Sequence, residues 1–254
     1  MTRPPLSVPV LTYHSIDPSG SVVSTHPALF REQMQWLSSR GYGAITATEL
    51  FDAWDGEVSP PERAIVVTFD DALGSVATEA LPIMSALGFR ATVFVVSGAI
   101  GEHNDWPEQG GGIPRLPLLS RDGLSELVAV GFEIGSHSKR HRRLTGLSPS
   151  ELAGEVIDSK RALEDRLGAA VNAFAYPFGD VDRAARSLAS CHYRGAFGTR
   201  LGIAGEGHDR FDLPRVDMYY LRHPVGFRRF DTTIGRWYLR ARAAGRRLRA
   251  VMSG

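Results

Sequence analysis

The sequence predicts an α/β protein built on a closed or nearly closed barrel of parallel strands with helices outside. Short apolar runs alternate with segments of helical periodicity from the start of the chain, an order typical of parallel sheets covered by helices. Polar, reactive residues follow several of these runs. The length of 254 residues and the ordinary globular composition suit a single such domain.

Six segments are short, apolar and rich in β-branched or aromatic residues, and we expect strands at 9–14, 64–69, 91–96, 132–136, 172–177 and 193–199. Helical periodicity predicts helices at 26–41, 75–88, 121–131, 148–167 and 182–190. Pro82 predicts a kink in the second helix, and Ser148 with Glu151 predicts a capping box at the start of the fourth.

The composition limits the cellular locations and the classes of binding partner that we expect. The single cysteine, Cys191, excludes an internal disulfide framework, and we expect it to be a small buried side chain in a reducing compartment. No apolar stretch of signal-peptide type lies near the N-terminus and no segment reaches membrane-spanning length, so a cytoplasmic location is expected. Nucleic-acid binding is not expected, because the chain has no motif that reads bases.

The C-terminal segment 228–254 is strongly basic. It carries eight arginines against one aspartate, a net charge of +7, so the rest of the chain carries −6 within a total of +1. Apolar residues recur there near helical spacing, at Ile234, Trp237, Tyr238, Ala241, Leu248 and Val251. The pattern predicts a basic amphipathic helix, which either makes peripheral contact with an anionic membrane or packs on the barrel with its arginines in solvent.

Polar residues stand where four predicted strands end. His14 follows the first strand, Asp70 and Asp71 the second, and His137 the fourth, while Pro177 ends the fifth. Parallel barrels place their reactive groups at the carboxyl ends of the strands. We therefore expect these residues to meet at one rim of the barrel.

The spacing of the histidines predicts a metal site. His137 and His141 lie four residues apart, so one helical turn or tight loop can present both rings to one side. With one carboxylate they form a His2Asp set that suits zinc or another divalent first-row ion. Such an ion would relieve the repulsion between Asp70 and Asp71, with Asp71 as the ligand and Asp70 as a base for water.

Simpler interpretations remain open for each motif. The paired aspartates are also typical of a helix N-cap with a solvated neighbour, and the histidine segment, rich in Lys and Arg, is typical of a basic surface loop. The long loop 101–117 is expected to shape a binding site at the barrel mouth. Its Trp106 is either a platform for a sugar ring or an anchor for its own loop.

Taken together, the motifs resemble the polysaccharide deacetylase family, also called the NodB-homology or carbohydrate esterase family 4 group. The resemblance rests on LTYHSI (11–16), TFDD (68–71), HSKRH (137–141), AYPFG (175–179) and LPRV (213–216), in that order, and extends over about residues 8–220. It implies a distorted (β/α)7 barrel, similar to a TIM barrel, and metal-dependent hydrolysis of an N-acetyl amide on an amino sugar. It also implies a catalytic domain, which we place at 1–227, and the basic helix predicted above from charge and spacing then occupies 228–254.

The resemblance also implies a role for each matching residue. Asp70 would be the general base, and a single divalent ion would be bound by Asp71, His137 and His141. Zinc is expected first, with cobalt, nickel, manganese and iron as alternatives. Backbone N–H groups near the fifth strand end would stabilise the oxyanion, so we expect substrate and oxyanion contacts from Tyr176, Pro177, Phe178 and, as sugar platform, Trp106.

The sequence departs from the commoner family pattern at three positions in two motifs. Ala72 replaces the glycine after the paired aspartates, and Ala175 and Phe178 replace an arginine and a tyrosine around Pro177. The arginine that pairs with the base is then expected to be Arg215, through a bidentate contact, with a surface ion pair as its alternative.

The family's late histidine motif is not recognisable either. His223 does not match its context, so His14 is the expected general acid, and a structural hydrogen-bonding role is its alternative.

Three hypotheses about function follow. The first is a metal-dependent N-deacetylase acting on an amino-sugar glycan or on a lipid-linked or nucleotide-linked glycan precursor. The second is a related hydrolase of small cyclic amides or imides, similar to the allantoinase-like branch. The third is a glycan-binding module without turnover, against which the complete set of Asp70, Asp71, His137 and His141 argues.

Overall fold

The main sheet contains eight strands, and every hydrogen-bonded pair in it is parallel. The computed structural model describes residues 6–252 and the side chains of residues 6–245. The strands are β1 (Val10–Tyr13), β2 (Gly43–Ile45), β3 (Ala64–Phe69), β4 (Thr92–Val95), β5 (Glu133–Ser136), β6 (Ala173–Ala175), β7 (Gly195–Leu201) and β8 (Leu213–Asp217).

Seven of these strands close into a ring in the order β1, β8, β7, β6, β5, β4, β3 and back to β1. Closure is made where Leu11 of β1 pairs with Val216 of β8 on one side and with Val67 of β3 on the other. The eighth strand, β2, pairs with β3 beside the ring. This closed parallel ring confirms the predicted (β/α)7 barrel.

The helices are α1 (Pro27–Ser39), α2 (Ala47–Asp55), α3 (Leu81–Ser85), α4 (Arg121–Ala129), α5 (Pro149–Leu167), α6 (Arg183–His192), α7 (Pro224–Phe227) and α8 (Thr233–Met252). A π-helical turn, Val76–Ala80, leads into α3, whose second residue is Pro82. Since proline cannot donate the backbone hydrogen bond of a regular helix, this irregularity fits the predicted kink. Short 3₁₀ turns occur at Pro177–Gly179 and Met218–Leu221.

Two short pairings complete the secondary structure. Ser7–Val8 pairs antiparallel with Ala204–Gly205, and Ser15–Ile16 pairs parallel with Ser24–Thr25. The capping box predicted at Ser148 and Glu151 is present at the start of α5.

Alternate strand residues separate the core into an interior and an outer layer. One cluster joins Val10, Val66, Phe94 and Phe197 with Phe51 of α2, whose ring stacks on Phe197 at 6.0 Å. The neighbouring strand residues belong to a second cluster that includes residues of α1 and α5. Because side chains alternate between the faces of a strand, the first cluster fills the barrel and the second holds the helices to it. Helix α2 thereby contributes to the barrel interior.

Helix α8 packs on the barrel next to β7. Leu239 is buried there, and Gly235 approaches the preceding turn so closely that a Cβ would overlap the carbonyl oxygen of Arg229. Ile234 and Trp237 are instead 65% and 66% exposed, so the predicted apolar face is not the face that packs. The side chains of Leu248 and Val251 lie outside the described residues.

Two further expectations concern exposure and membrane crossing. Cys191 is exposed, so its predicted burial is wrong: α6 buries Ala185 and Ala189, and Cys191 falls on another face of that helix. Among residues 6–252, no helix combines the length and apolarity needed to cross a membrane.

Candidate active site

The carboxyl ends of β1, β3, β5, β6 and β8 surround a cavity of about 150 Å³. Most of the predicted site residues line it together, although they are up to 201 positions apart in the chain: His14, Asp70, Asp71, His137, His141, Tyr176, Phe178 and Arg215. Pro177, predicted with them, is buried at the end of β6 and does not line the cavity. Thr12, Gln109, Thr199 and Asp217 complete much of its wall, and the sequence did not single them out.

Asp71, His137 and His141 form a compact group of possible metal ligands. All three are buried, and one donor atom from each lies within 4.8 Å of the others. The Oδ1 atom of Asp71 is 3.5 Å from His137 Nε2 and 3.2 Å from His141 Nε2. This carboxylate oxygen has no hydrogen-bond partner among the described residues. A buried, unpaired anionic oxygen between two imidazole nitrogens fits a divalent cation.

The protonation of His137 suits a ligand. Its Nδ1 lies 2.7 Å from the carbonyl oxygen of Ala175, which can only accept, so Nδ1 carries the proton and the Nε2 lone pair faces Asp71. Burial lowers the pKa of His137 to about 4, which keeps the ring neutral near pH 7. His141 lacks the corresponding support, because its Nδ1 has no hydrogen-bond partner among the described residues.

The segment from His137 to His141 is a tight loop held by buried Glu155 of α5. The Glu155 carboxylate accepts hydrogen bonds from the backbone N–H of Lys139 at 3.1 Å and of Arg140 at 2.8 Å, and from Nε of Arg140 at 2.8 Å. Glu155 was not predicted from the sequence, since nothing in its helical context distinguishes it from other acidic residues of α5. Its contacts give it a positioning function for the histidine loop.

A glycine on the neighbouring strand end lets this loop approach. Gly98 donates its backbone N–H to the Lys139 carbonyl at 2.9 Å, and a Cβ at Gly98 would lie 2.5 Å from that oxygen. A larger residue would push the loop away from the end of β4.

Backbone strain is concentrated around the cavity. Among the described residues, the non-glycine residues with positive φ are Asp71, Ala72, Ser138, His141 and Phe178, with φ between 55° and 68°. Each left-handed residue costs about 1–2 kcal/mol. Strain of this kind persists where packing and hydrogen bonds over-determine the backbone, and it clusters at functional sites. Ala72 has a left-handed backbone conformation that costs energy for alanine, whereas the glycine found at this position in the commoner family pattern would adopt it without strain.

Asp70 is held by Arg215 in a doubly hydrogen-bonded ion pair. Arg215 Nη1 lies 2.7 Å from Asp70 Oδ1, and Nη2 lies 2.7 Å from Oδ2. Both residues are buried, so this contact is not the surface ion pair of the alternative interpretation. Burial raises the pKa of the Asp70 carboxyl, but the Arg215 charge outweighs it and the net pKa lies below the usual range.

The two histidines considered for the proton-donating role differ in position. His14 lines the cavity, with Nε2 4.0 Å from Asp70 Oδ2. His223 instead caps α7, where its ring accepts the backbone N–H of Val225 at 3.3 Å.

The AYPFG turn narrows the choice of oxyanion donor. The Tyr176 N–H is already bonded to the Phe197 carbonyl at 3.1 Å, and Pro177 has no N–H. The Tyr176 ring is buried and its hydroxyl donates to the Phe211 carbonyl at 2.9 Å. The Gly179 N–H donates to the Tyr176 carbonyl at 2.9 Å, which leaves the Phe178 N–H as the candidate donor at this turn.

Trp106 contacts the histidine loop directly. Its ring stacks on His141 with the centroids 4.7 Å apart and the planes 20° apart, and the edge of Phe178 contacts the same imidazole at 4.7 Å. The loop carrying Trp106 is also tied by Asn104, which accepts the Leu116 N–H at 2.6 Å and donates to the Pro114 carbonyl at 3.1 Å. Trp106 therefore packs on the proposed ligand His141 while lining the cavity.

Comparison with known proteins agrees with this geometry. A sequence profile of the family described as polysaccharide deacetylase matches residues 57–195, more than half of the chain. The chain belongs to the polysaccharide deacetylase family. YxkH of Bacillus subtilis (strain 168), a protein named for the same family, is 26% identical over 216 residues, which cover 85% of this chain and 72% of that protein.

Further relatives in the polysaccharide deacetylase family share sequence and fold. The poly-β-1,6-N-acetyl-D-glucosamine N-deacetylase of Staphylococcus aureus (strain N315) is 26% identical over 165 residues, covering 61% of this chain, which spans 54% of that protein's length. The structure of Streptococcus pyogenes deacetylase PplD in complex with acetate superposes with a TM-score of 0.75 at 26% identity, covering 84% of this chain and 93% of that chain. The relationship confirms the predicted family, barrel and hydrolase class.

Proposed function

We propose that this chain is a metal-dependent hydrolase that removes an N-acetyl group from an amino sugar of a polysaccharide, oligosaccharide or carrier-linked glycan precursor. The observation that carries the proposal is the donor group of Asp71, His137 and His141 beside an ionised, separately held Asp70. Family membership and the Staphylococcus aureus relative, named as a poly-β-1,6-N-acetyl-D-glucosamine N-deacetylase, support the chemistry.

Asp71, His137 and His141 would hold one divalent ion, zinc first by ligand type. When bound, such an ion supplies Lewis acidity that acidifies water and polarises an acetyl carbonyl. The unpaired Oδ1 of Asp71 and the preset Nε2 of His137 support this assignment.

Asp70 is proposed as the general base. Water adds to the acetyl carbonyl carbon while Asp70 accepts its proton, and cleavage of the C–N bond then releases acetate and a free amine. Arg215 keeps the Asp70 carboxylate ionised and fixes its orientation, because its two Nη atoms donate hydrogen bonds to both carboxylate oxygens. It acts through Asp70 and is a positioning residue.

His14 and Phe178 complete the proposed set. His14, at 4.0 Å from Asp70, would donate the proton that the leaving nitrogen needs. The Phe178 N–H would stabilise the oxyanion, a contribution of about 10²–10³ in rate for one such donor. Tyr176 and Pro177 then shape this turn and do not donate to the substrate.

The test measures bound metal and acetate release together. We expect Asp70→Asn to keep the metal and lose turnover on N-acetylglucosamine oligomers, and Asp71→Asn to lose both. Asp165→Asn, at an exposed position on α5, is the matched control. Circular dichroism checks folding, because Asp70→Asn leaves the Arg215 charge buried without its partner.

The same assay separates the alternatives. Equal metal content in wild type and Asp71→Asn, with no acetate from any amino sugar, would support the glycan-binding module. Ring opening of a cyclic amide or imide without acetate release would support the allantoinase-like hydrolase.

We also propose that α8 provides peripheral contact with an anionic membrane, as part of a basic segment 228–254 that follows a catalytic domain at 1–227. Ile234, Trp237 and Tyr238 are exposed on adjacent turns, within a segment of net charge +7. Exposed aromatic and aliphatic side chains among arginines fit a surface that enters the headgroup region.

A further inference from the structure

A second cavity adjoins the active site and is larger than it. It has a volume of about 610 Å³, and Phe178 and Thr199 line both cavities. We call this second cavity the α8 groove, because Arg236, Leu239, Arg240 and Ala243 of α8 form one wall, facing Leu201 at the end of β7 and the residues after it. A sugar in the active site can therefore extend into the α8 groove past Phe178 and Thr199.

The charges of the residues that line the α8 groove are only partly compensated by ion pairs. Arg200 is paired with Asp212 at 3.1 Å, and Asp180 is paired with Arg143 at 2.5 Å, so these two lining charges are already compensated. Arg236 and Arg240 form no ion pair with a described residue.

Among the residues that the structure describes, no strong competing contact fixes either guanidinium group. The hydrogen bond recorded for Arg236 joins its Nε to the carbonyl oxygen of Asp231 at 3.3 Å. Both side chains are exposed at the groove, in contrast to the buried Arg215. The groove therefore offers two uncompensated guanidinium groups above an apolar floor that includes Leu201, Ile203 and Leu239.

We propose that the α8 groove binds an anionic group attached to the amino sugar being deacetylated. The inference rests on the proposed function and specifies its substrate class. Guanidinium groups recognise phosphate and carboxylate oxygens through paired N–H donors, and the neutral hydroxyls of an uncharged glycan leave that capacity unused. The shared chemistry is an oxyanion, supplied either by a phosphate or diphosphate linkage or by the carboxylate of a uronic acid.

The experiment compares kcat/KM for neutral and anionic substrates. The neutral substrate is an N-acetylglucosamine disaccharide, and the anionic ones are N-acetylglucosamine 1-phosphate, uridine diphosphate N-acetylglucosamine and an N-acetylglucosamine–glucuronate disaccharide. We expect wild type to favour at least one anionic substrate by roughly tenfold at low salt, with the preference shrinking as salt is added. The preferred anion distinguishes the phosphate source from the carboxylate source.

The variant with Arg236→Gln and Arg240→Gln should lower the ratio of anionic to neutral kcat/KM by roughly tenfold. Arg242→Gln is the matched control, because Arg242 is on the same helix but lies over the Tyr220 and Tyr238 rings and does not line the groove. It should leave the ratio at the wild-type value. Equal use of neutral and anionic substrates by wild type, or an equal change in the double variant and Arg242→Gln, would overturn the inference.

A binding measurement keeps this test separate from the proposed function. Pyrophosphate binding is measured by calorimetry with wild type, the double variant and Arg242→Gln. Should no substrate release acetate, the proposed function fails, yet weaker binding in the double variant alone would still support the groove. Equal pyrophosphate binding by all three proteins would overturn the groove whatever the activity.

Discussion

Arg215 and Asp70 lie 145 residues apart in the chain and meet inside the barrel mouth through two hydrogen bonds of 2.7 Å each. The Arg215 Nε also donates to the Gly198 carbonyl at 2.9 Å, so the guanidinium is fixed at both ends of its fork. The exposure of each side chain is at most 5%. The carboxylate therefore keeps its charge and its direction even though it is removed from water.

Replacement of Arg215 by Gln should destabilise the protein strongly. The change leaves the Asp70 carboxyl buried without its partner, which costs about 3–5 kcal/mol when one member of a buried pair is lost. The pKa of Asp70 should rise, because burial then acts without the opposing charge. Urea unfolding at pH 7 measures the loss of unfolding free energy.

Arg115→Gln is the control for that measurement. Arg115 pairs with Asp105 at 3.0 Å, but both side chains are about 60% exposed, and exposed pairs contribute about 1 kcal/mol or less. An equal loss of stability in the two variants would contradict the importance assigned to burial of the Arg215–Asp70 pair.

Glu155→Gln should weaken metal binding without removing a ligand. Gln has a single acceptor oxygen, so it can accept either from the loop N–H groups of Lys139 and Arg140, which share Oε2, or from Nε of Arg140, which uses Oε1, and the negative charge is lost in both cases. Loss of such outer contacts costs about 10–100-fold in metal affinity. Competitive titration of zinc against a chromophoric chelator measures it. Glu164→Gln, on the same helix but paired with Lys160, should bind zinc as wild type does.

The surface pair of Asp55 and Arg210 predicts acid sensitivity. The hydrogen bond from Arg210 lowers the pKa of Asp55 to about 2, below the value of about 4 in an unfolded chain. Its stabilising contribution is therefore complete above about pH 4 and is lost as the pH falls through 2. Because both side chains are about one third exposed, we expect about 1 kcal/mol or less.

Unfolding free energies of wild type and Asp55→Asn, measured between pH 2 and pH 6, test this expectation. The difference between the two proteins should be largest at pH 6, should shrink below about pH 4 and should be mostly lost at pH 2. A difference that does not change across this range would show that the contribution of Asp55 is not ionic.

Trp237→Ala should reduce binding to anionic vesicles. The Trp237 side chain is 66% exposed on α8, so its removal takes apolar surface from the proposed membrane contact without opening the core. Sedimentation with phosphatidylglycerol vesicles should show weaker binding than wild type, and neither protein should bind phosphatidylcholine vesicles. Val58→Ala removes exposed apolar surface elsewhere and should bind as wild type does. Equal binding by Trp237→Ala and wild type would exclude this helix as the contact.

Local pattern was sufficient for most of the barrel. The six predicted strands and five predicted helices are present, with ends that differ from the prediction by a few residues. Strand β2 was missed because three residues carry no readable periodicity, and β8 was recognised by its LPRV motif without being identified as a strand. Helix α2 was also not predicted, although its sequence contains the signals of a helix: Thr46 and Glu49 form a capping box, and Gly56 ends the helix.

The surface of α8 shows where periodicity fails. The spacing of Ile234, Trp237 and Tyr238 predicts one apolar face, but the helix buries Leu239 against the barrel, and Gly235 packs on the turn that precedes the helix. The face of α8 that contacts β7 depends on the fit of the helix to a strand distant in the chain, and such a fit leaves no mark in a hydropathy pattern.

By itself the sequence determined the alternation of strands and helices and the reactive residues at the strand ends, because side-chain periodicity and local hydrogen bonding are properties of neighbours in the chain. The resemblance predicted Arg215 as the partner of Asp70, but only the tertiary structure decided that this pair is buried, that Glu155 holds the His137–His141 loop, and that Trp106 stacks on His141. These contacts depend on the order in which the ring closes and on left-handed backbone turns, which the packing of the whole barrel must stabilise.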